Sequence, residues 1–292
     1  MATASTLAII GGSGLYELEG LKNVEELRVT TPFGAPSDVV VRGQLGGVTL
    51  LFLPRHGRGH RLAPHRINYR ANVFALKTLG AQQLVSVSAV GSLREEIRPG
   101  DVVLVDQFID RTGQRRASTF FDDSGLVAHV GMADPTDPAL SKAVGAAAAQ
   151  AGARVHPTGT YVCMEGPQFS TRAESHLYRS FGAHVIGMTN LPEAKLAREA
   201  ELPYASLALA TDYDCWHETE EHVTVEAVLA VLHKNVNLAK HTIVRLVDQI
   251  PDPSLSPSSR ALENTIVTAP SHISAETREL LAPLIGKYFP KQ

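Results

Sequence analysis

The sequence predicts a single α/β domain with a central mixed, largely parallel sheet flanked by helices. Two observations carry that expectation. Short runs of mainly small and aliphatic residues at 7–10, 83–90 and 204–210 end in glycine or polar turns; such runs read as strands buried on both faces, which helices packed over a parallel sheet produce. Segments with a period near 3.6 lie between many of these runs, and several strands end in hydroxylated, cationic or acidic residues. That is the edge where open α/β sheets bind ligands. At 292 residues and 44% hydrophobic, the chain can fill one large domain of this kind.

Residues 7–10 form the first strand, which runs into Gly11-Gly-Ser-Gly14. These glycines let backbone amides approach an anion, and Ser13 adds a hydroxyl. Glu17 stands where a dinucleotide fingerprint needs its third glycine, and the Lys of a P-loop is absent. A plain strand-ending turn is the alternative. Residues 39–41 and 48–53 form a hairpin across Gly46 and Gly47, and the second strand ends in Pro54-Arg-His-Gly-Arg-Gly-His60. Arg55 offers a planar fork for a bidentate phosphate contact, with His56 beside it. No carboxylate or cysteine completes a ligand set with His56, His60 and His65, so no metal is expected.

Tyr69, Val73, Leu76 and Leu79 mark a helix over 68–79, stopped by Gly80. The strand at 83–90 breaks at Gly91-Ser92. Ser88 and Ala89 are small enough there to leave room for a ligand, or simply to pack tightly. A strand at 101–105 precedes 106–128, which reads as a long polar loop. An alanine-rich helix spans 138–151 and closes at Gly152. The strand at 160–164 leads to Glu165-Gly-Pro-Gln-Phe-Ser170, where Phe169 could stack on a flat base or merely anchor the turn. A helix follows over 171–181.

The strand at 185–190 presents Met188 as an adaptable apolar surface, and a helix over 191–200 has Pro192 near its first turn. The strand from 204 then ends in Asp212 and Asp214, one residue apart. Residues 216–221 read as a solvated charged loop. Val225, Val228, Leu229, Leu232, Val236, Ala239, Ile243 and Leu246 trace one face of a helix over 224–247. Residues 251–259 have linker composition, and 274–288 is an amphipathic helix. The domain therefore covers 1–250, with 251–292 as a linker and helical extension packed on the body or on a neighbouring subunit.

A formal charge of −3 gives no general attraction for nucleic acid or an anionic membrane. Any phosphate must be met by local groups. Cys163 and Cys215 make no disulfide framework. No run approaches the roughly 20 apolar residues of a membrane span, and no secretory leader is apparent. A soluble cytoplasmic protein is expected.

Collected together, the glycine-rich amides, Arg55, His56 and the strand-end hydroxyls make an anion site. Phe169, Met188, Asp212 and Asp214 make a pocket for something flat and polar. This means either a bound nucleotide or phosphate attacking a nucleoside. The second explains the aspartates better, because carboxylates would be repelled by a nucleotide's own phosphates, whereas a departing purine must be protonated. One Asp would donate to N7 and the other accept from an exocyclic amine. A carboxyl of ordinary pKa near 3.9 needs burial or a like-charged neighbour for the acid role.

Ile10-Gly-Gly-Ser-Gly14, Thr31-Pro-Phe-Gly-Ala-Pro-Ser37, Arg55-His56-Gly57, Asn68-Tyr-Arg-Ala-Asn72, Gly91-Ser-Leu-Arg-Glu-Glu96, Asp106-Gln-Phe-Ile-Asp-Arg-Thr112, Glu165-Gly-Pro-Gln-Phe-Ser170 and Ala210-Thr-Asp-Tyr-Asp-Cys-Trp216 occur in that order. From about residue 6 to 250 the chain resembles the trimeric purine nucleoside phosphorylase family, within it the members acting on S-methyl-5′-thioadenosine. The resemblance implies a nucleoside phosphorylase-like fold and a phosphate site of Ser13, Arg55, His56, Ser88, Ala89 and Thr189. It implies Met188 under the ribose, with Phe169, Ser170, Asp212 and Asp214 around adenine and Asp212 as the general acid. Val225, Val228 and Leu229 would line a pocket for the methylthio group, and His129 would reach it from an adjacent subunit. Ser13 keeps the hydroxyl where many relatives have Thr.

The activity so implied is reversible phosphorolysis of S-methyl-5′-thioadenosine to adenine and 5-methylthioribose 1-phosphate, in purine and methionine salvage. Inorganic phosphate is a co-substrate, no metal or organic cofactor is needed, and the assembly is a homotrimer. A 6-oxopurine enzyme acting on methylthioinosine or inosine is the alternative. A 6-oxo ring favours an Asn at the N7 position, so Asp212 speaks for the 6-amino ring. A non-catalytic nucleoside-binding module is a third reading.

Overall fold

The computed structural model describes residues 5–12, 14–113, 116–122, 124–217 and 225–290, with the side chains of 225–233 excepted. Its sheet contains β1 (Thr6–Gly11), β2 (Lys22–Leu27), β3 (Val40–Leu45), β4 (Val48–Pro54), β5 (Gln83–Ser92), β6 (Val102–Val105), β7 (Gln107–Arg111), β8 (Val155–His156), β9 (Thr160–Met164), β10 (Val185–Gly187) and β11 (Tyr204–Asp212). The path runs β2-β3-β4-β1-β5-β10-β9-β7, while β11 pairs the other edge of β5 and leads to β6 and β8. Both parallel and antiparallel pairings occur, and the central ones, β4–β1, β1–β5 and β5–β11, are parallel. This is the mixed, largely parallel sheet that the apolar runs predict.

Seven helices cover it among the described residues: α1 (Tyr69–Thr78), α2 (Pro138–Gln150), α3 (Arg172–Ser180), α4 (Asn190–Glu199), α5 (Val225–Leu246), α6 (Ala275–Leu280) and α7 (Ala282–Ile285). Alternate residues of one strand enter different cores. Ala8 and Ile10 of β1, with Tyr204, Ala208 and Ala210 of β11, pack with Val73 of α1 and Ala194 of α4. Leu7, Ile9, Ala205, Leu207 and Leu209 pack instead with Val144 of α2 and Ile243 of α5. A strand with period-2 side chains and helices on both faces must be apolar throughout.

Local signals also agree with the elements they mark. Gly46 and Gly47 take φ of 55° and 81°, the positive values that a two-residue hairpin turn requires. Asn68 and Asp137 cap α1 and α2 by accepting from Ala71 N and Leu140 N. Thr171 and Glu174 form a capping box at α3.

The central strand leaves an opening. β1 accompanies β5 only from Gln83 to Ser86, and β10 joins the same edge at Gly91. β11 meanwhile continues along the opposite edge to Val90 and beyond. Val87 to Val90 thus face no strand on one side, and Ala89 is exposed in the middle of a buried sheet.

Four expectations are corrected. The polar segment 106–128 opens with β7, which pairs parallel with β9; its exposed and half-buried side chains hide the strand signal. β2 and β8 escaped for related reasons: β2 is a charged edge strand, and β8 has two residues. Trp216 is not solvated. It is buried, donates from Nε1 to Ser92 O at 2.8 Å, and lies under the Arg179 guanidinium. The helix read over 274–288 breaks into α6 and α7, because Pro283 has no N–H to give and its ring clashes with the preceding turn. The segment 251–259 forms short 3₁₀ turns, Pro253–Leu255 and Pro257–Arg260, with Ser256 Oγ donating to buried Asp137.

Residues beyond 251 pack on the body. Leu262, Ile273, Leu281, Leu284 and Ile285 join the core that contains Tyr69 and Val73. Glu201 ties the tail down, accepting from Leu262 N at 3.0 Å and Tyr288 Oη at 2.5 Å and pairing with Lys287.

Glu199, at the end of α4, is buried and accepts from Phe120 N at 2.8 Å. Burial raises its carboxyl to about 7, against the Phe120 N–H and the Thr119 hydroxyl, which pull it down, and with a further push from Asp122. An acid whose folded pKa is raised stabilises fully below its unfolded value and loses that contribution as pH rises through the folded one. We therefore expect stability from this group to fall between about pH 4.5 and 7, by an amount on the order of 3 kcal/mol. Glu199→Gln should flatten that segment of a chemical-denaturation pH series, and an unchanged slope would rule Glu199 out.

Candidate active site

β11 breaks its register against β5 between Ala210 and Asp212, so the strand bulges as it reaches the acids. Asp212 Oδ1 accepts from Asp214 N at 3.0 Å. The Thr211 hydroxyl lies 2.6 Å from Asp212 Oδ2 and 3.2 Å from Val90 O. A hydroxyl has one proton, and a carbonyl only accepts. Thr211 therefore donates to an ionised Asp212, or turns to Val90 and accepts from a protonated one. Either protonation state of Asp212 is satisfied at that oxygen.

Asp214 is only 6% exposed, and its Oδ2 has no hydrogen-bond partner among the described residues. Burial raises this carboxyl above its usual range, opposed by the nearby Ser175 hydroxyl and the Cys215 N–H. A buried oxygen without a partner is costly unless a ligand supplies a donor. Gly91 faces both acids: a Cβ there would stand 3.1 Å from Asp212 Oδ1 and 3.3 Å from Asp214 Cβ.

Of the anion candidates, Ser88, Ala89 and Arg55 stand at the opening in the sheet. Ser88 Oγ is buried and unpartnered among the described residues, and Ala89 beside it is exposed. Thr189 precedes α4, with its N–H directed to Tyr161 Oη at 3.3 Å. Arg55 follows β4 and is 2% exposed. Its Nε and Nη2 engage Glu193 at 2.8 and 3.1 Å, Nη2 also reaches Ile10 O and Ser86 Oγ, and Nη1 donates to Val87 O. One Nη1 proton is left without an acceptor among the described residues, and Glu193 holds the cation charged despite burial.

His56 Nδ1 lies 2.8 Å from Leu62 O, so Nδ1 carries the proton and Nε2 presents a lone pair. Burial lowers this imidazole to about 4, although the Leu62 carbonyl works the other way, and the ring is neutral near pH 7. His56 and His60 stack at 4.1 Å, which turns their faces rather than their nitrogens toward one another. Ser13 lies outside the described residues.

Around the base candidates, Phe169 is 53% exposed in the turn after β9, and Ser170 Oγ points to Met164 Sδ. Met188 packs against this turn, since a Cβ on Gly166 would meet its Sδ at 2.5 Å. Val225, Val228 and Leu229 open α5, and their side chains lie outside the described residues. His129 does not join the others. It is exposed, with its N–H on Thr265 O, in a ladder between 127–129 and the C-terminal segment.

Three polar residues around this site gave no signal that the sequence reading used. Glu193 partners Arg55, Tyr204 donates to Glu193 Oε1 at 3.0 Å, and Arg116 bonds carbonyls of two site loops. Glu193 had a readable one. It stands three and four residues before Leu196 and Ala197, an acid on the buried stripe of a helix. A separate cleft of about 680 Å³ between β6 and α2, lined by Leu104, Gln107, Ser141 and Lys142 among others, contains none of the candidate residues.

Comparison with known proteins identifies the family. A family model described as the phosphorylase superfamily matches residues 6–248. The S-methyl-5′-thioadenosine phosphorylase of Geobacter sulfurreducens is 58% identical over 97% of this chain and 98% of its own. That of Synechocystis sp. is 55% identical over 97% and 88%. A methylthioadenosine phosphorylase structure from an antarctic soil metagenomic library superposes with a TM-score of 0.90 at 51% identity, covering 96% of this chain and 99% of that one. The methylthioadenosine phosphorylase of Schistosoma mansoni in complex with adenine gives 0.79 at 40% identity over 84% and 91%. With matches of this extent on a sheet opened beside paired acids, the chain belongs to the phosphorylase superfamily.

Proposed function

We propose that this protein catalyses the reversible phosphorolysis of S-methyl-5′-thioadenosine to adenine and 5-methylthioribose 1-phosphate. The observation that carries the reading is the pair Asp212 and Asp214, set by a bulge of β11 across β5 from its open edge. Phosphate in that opening attacks C1′ while the bond to N9 breaks. The transition state resembles an oxocarbenium ion, and the electrons arrive on the purine. Asp212 gives its proton to N7, and Thr211 satisfies its Oδ2 before and after. Asp214 Oδ2, buried and without a partner among the described residues, accepts from the 6-amino group.

In this reading the phosphate is met by Ser13, Ser88, Ala89, Thr189, the remaining Arg55 N–H and His56. A neutral His56 with a lone pair on Nε2 suits the hydroxyl of hydrogen phosphate. Met188 supports the ribose, and Phe169 and Ser170 flank the base. Val225, Val228 and Leu229 receive the methylthio group, with His129 supplied by a neighbouring subunit of a homotrimer. Residues 1–250 are the phosphorylase unit and 251–292 an extension of it. Phosphate is a co-substrate, no cofactor takes part, and the enzyme serves purine and methionine salvage in the cytoplasm. Among the described residues no helix is long and apolar enough to cross a membrane.

The test is adenine release from a panel of purine nucleosides with and without phosphate. Phosphate-dependent turnover with the highest kcat/KM for methylthioadenosine is expected. Release at equal rates without phosphate would indicate a hydrolase, and a preference for hypoxanthine nucleosides would overturn the base assignment.

A further inference from the structure

We infer that Arg116 is a positioning residue that fixes the distance between the two loops sharing the substrate: the turn after β9, with Phe169 and Ser170, and the segment after β10, with Met188 and Thr189. The inference rests on the phosphorolytic reading, which gives both loops one nucleoside to hold.

The Arg116 side chain is 3% exposed. Its Nη1, with two protons, lies within hydrogen-bond reach of three acceptors, Met188 O at 2.7 Å, Leu191 O at 2.9 Å and Tyr69 Oη at 3.1 Å. Its Nη2 donates to Glu165 O at 2.7 Å, with Met164 O farther off at 3.5 Å. The acceptors are main-chain carbonyls of two separate loops and one hydroxyl of α1. A planar guanidinium holds its donors at fixed spacing, so it acts here as a rigid spacer. Glu165 Oε2, 3.3 Å from Nε, supplies the counter-charge without hydrogen-bond alignment. The loops also touch directly where Met188 Sδ lies against Gly166, which leaves little slack for them to drift.

The spacing matters because the loops hold different parts of one reacting molecule. The base stays with Phe169 and Ser170 while C1′ moves from it toward the phosphate, over Met188. A misplacement of about 1 Å can cost about 10²-fold in rate. Lysine keeps the charge but not the fork.

Arg116→Lys and the milder Glu165→Gln test this with two readouts. One is hydrogen–deuterium exchange of peptides covering 164–170 and 188–191, which needs no activity. The other is kcat and KM for the nucleoside at saturating phosphate. For Arg116→Lys we expect faster exchange in both segments together and kcat lower by about 10- to 100-fold, with KM changed less than about threefold. Glu165→Gln should move each readout in the same direction by less. Exchange that is unchanged, or raised in one segment alone, overturns the inference, as does a wild-type kcat in Arg116→Lys. If Arg116→Lys does not fold, Glu165→Gln, whose carboxylate side chain is 27% exposed, decides by the same criteria. Wild-type protein that phosphorolyses no purine nucleoside would sink the phosphorolytic reading, and the exchange data would still decide whether Arg116 ties the loops.

Discussion

Asp212→Asn should lower kcat for methylthioadenosine by about 10² to 10⁴-fold, the usual size of a general-acid contribution. That corresponds to about 3–5 kcal/mol of transition-state stabilisation. The amide keeps the side-chain shape, can still accept from Asp214 N, and can direct an N–H toward N7. It cannot hand over a proton. Binding should therefore change little and KM stay near its wild-type value, which separates this variant from one that damages the pocket. An N7-methylated methylthioadenosine carries its positive charge already, so its purine leaves without protonation. With that substrate the variant should regain most of the lost rate. An unchanged kcat on the natural base, or equal losses on both substrates, would remove Asp212 as the acid.

The largest stability effect should come from beneath the anion site. Glu193 is buried, grips Arg55 through two oxygens and accepts from Tyr204 Oη. Glu193→Ala leaves a guanidinium in the core without its counter-charge, and removing one partner of a buried pair typically costs about 3–5 kcal/mol. In a chain of this size that is a Tm decrease on the order of 10 °C. Glu193→Gln keeps the shape and one acceptor, so its cost should be smaller, about 1–3 kcal/mol. Thermal and urea melts of both variants give the order, and a wild-type Tm for Glu193→Ala would show that Arg55 is held by its carbonyl and hydroxyl contacts instead. Activity should fall in both, because Arg55 reaches the opening in β5 through its bond to Val87 O.

The central strands were legible because burial on both faces leaves no choice of residue. β1, β5 and β11 show this as runs of aliphatic and small residues, and the paired acids stand out where the last of them stops. The helices over 68–79 and 138–151 were readable from apolar spacing, alanine content and the glycines that stop them. The edge of the sheet was not. β2 and β7 carry exposed charged and polar side chains, and nothing local separates such a strand from a loop.

The acids, the hydroxyls and the cationic turn announced themselves at strand ends. Their orientation depended on distant partners. That Arg55 points inward to Glu193 follows from a contact 138 positions along the chain. Arg116 sits in a polar stretch whose composition predicts only a loop. Its importance lies in which carbonyls come to it, and carbonyls have no sequence signature. Trp216 was misread for a similar reason, since its charged neighbours masked a ring that fills a small core with Leu93, Val162 and Ile186.

The docking of the C-terminal segment bears on how the chain is made. Leu281, Leu284 and Ile285 belong to the same core as Ala8 and Ile10, which precede them by about 270 positions. As the polypeptide emerges from the ribosome, the sheet, α1 and α4 can assemble, but the part of this core that α7 covers stays open until α7 follows, and apolar surface left open in this way makes partly folded chains prone to aggregate.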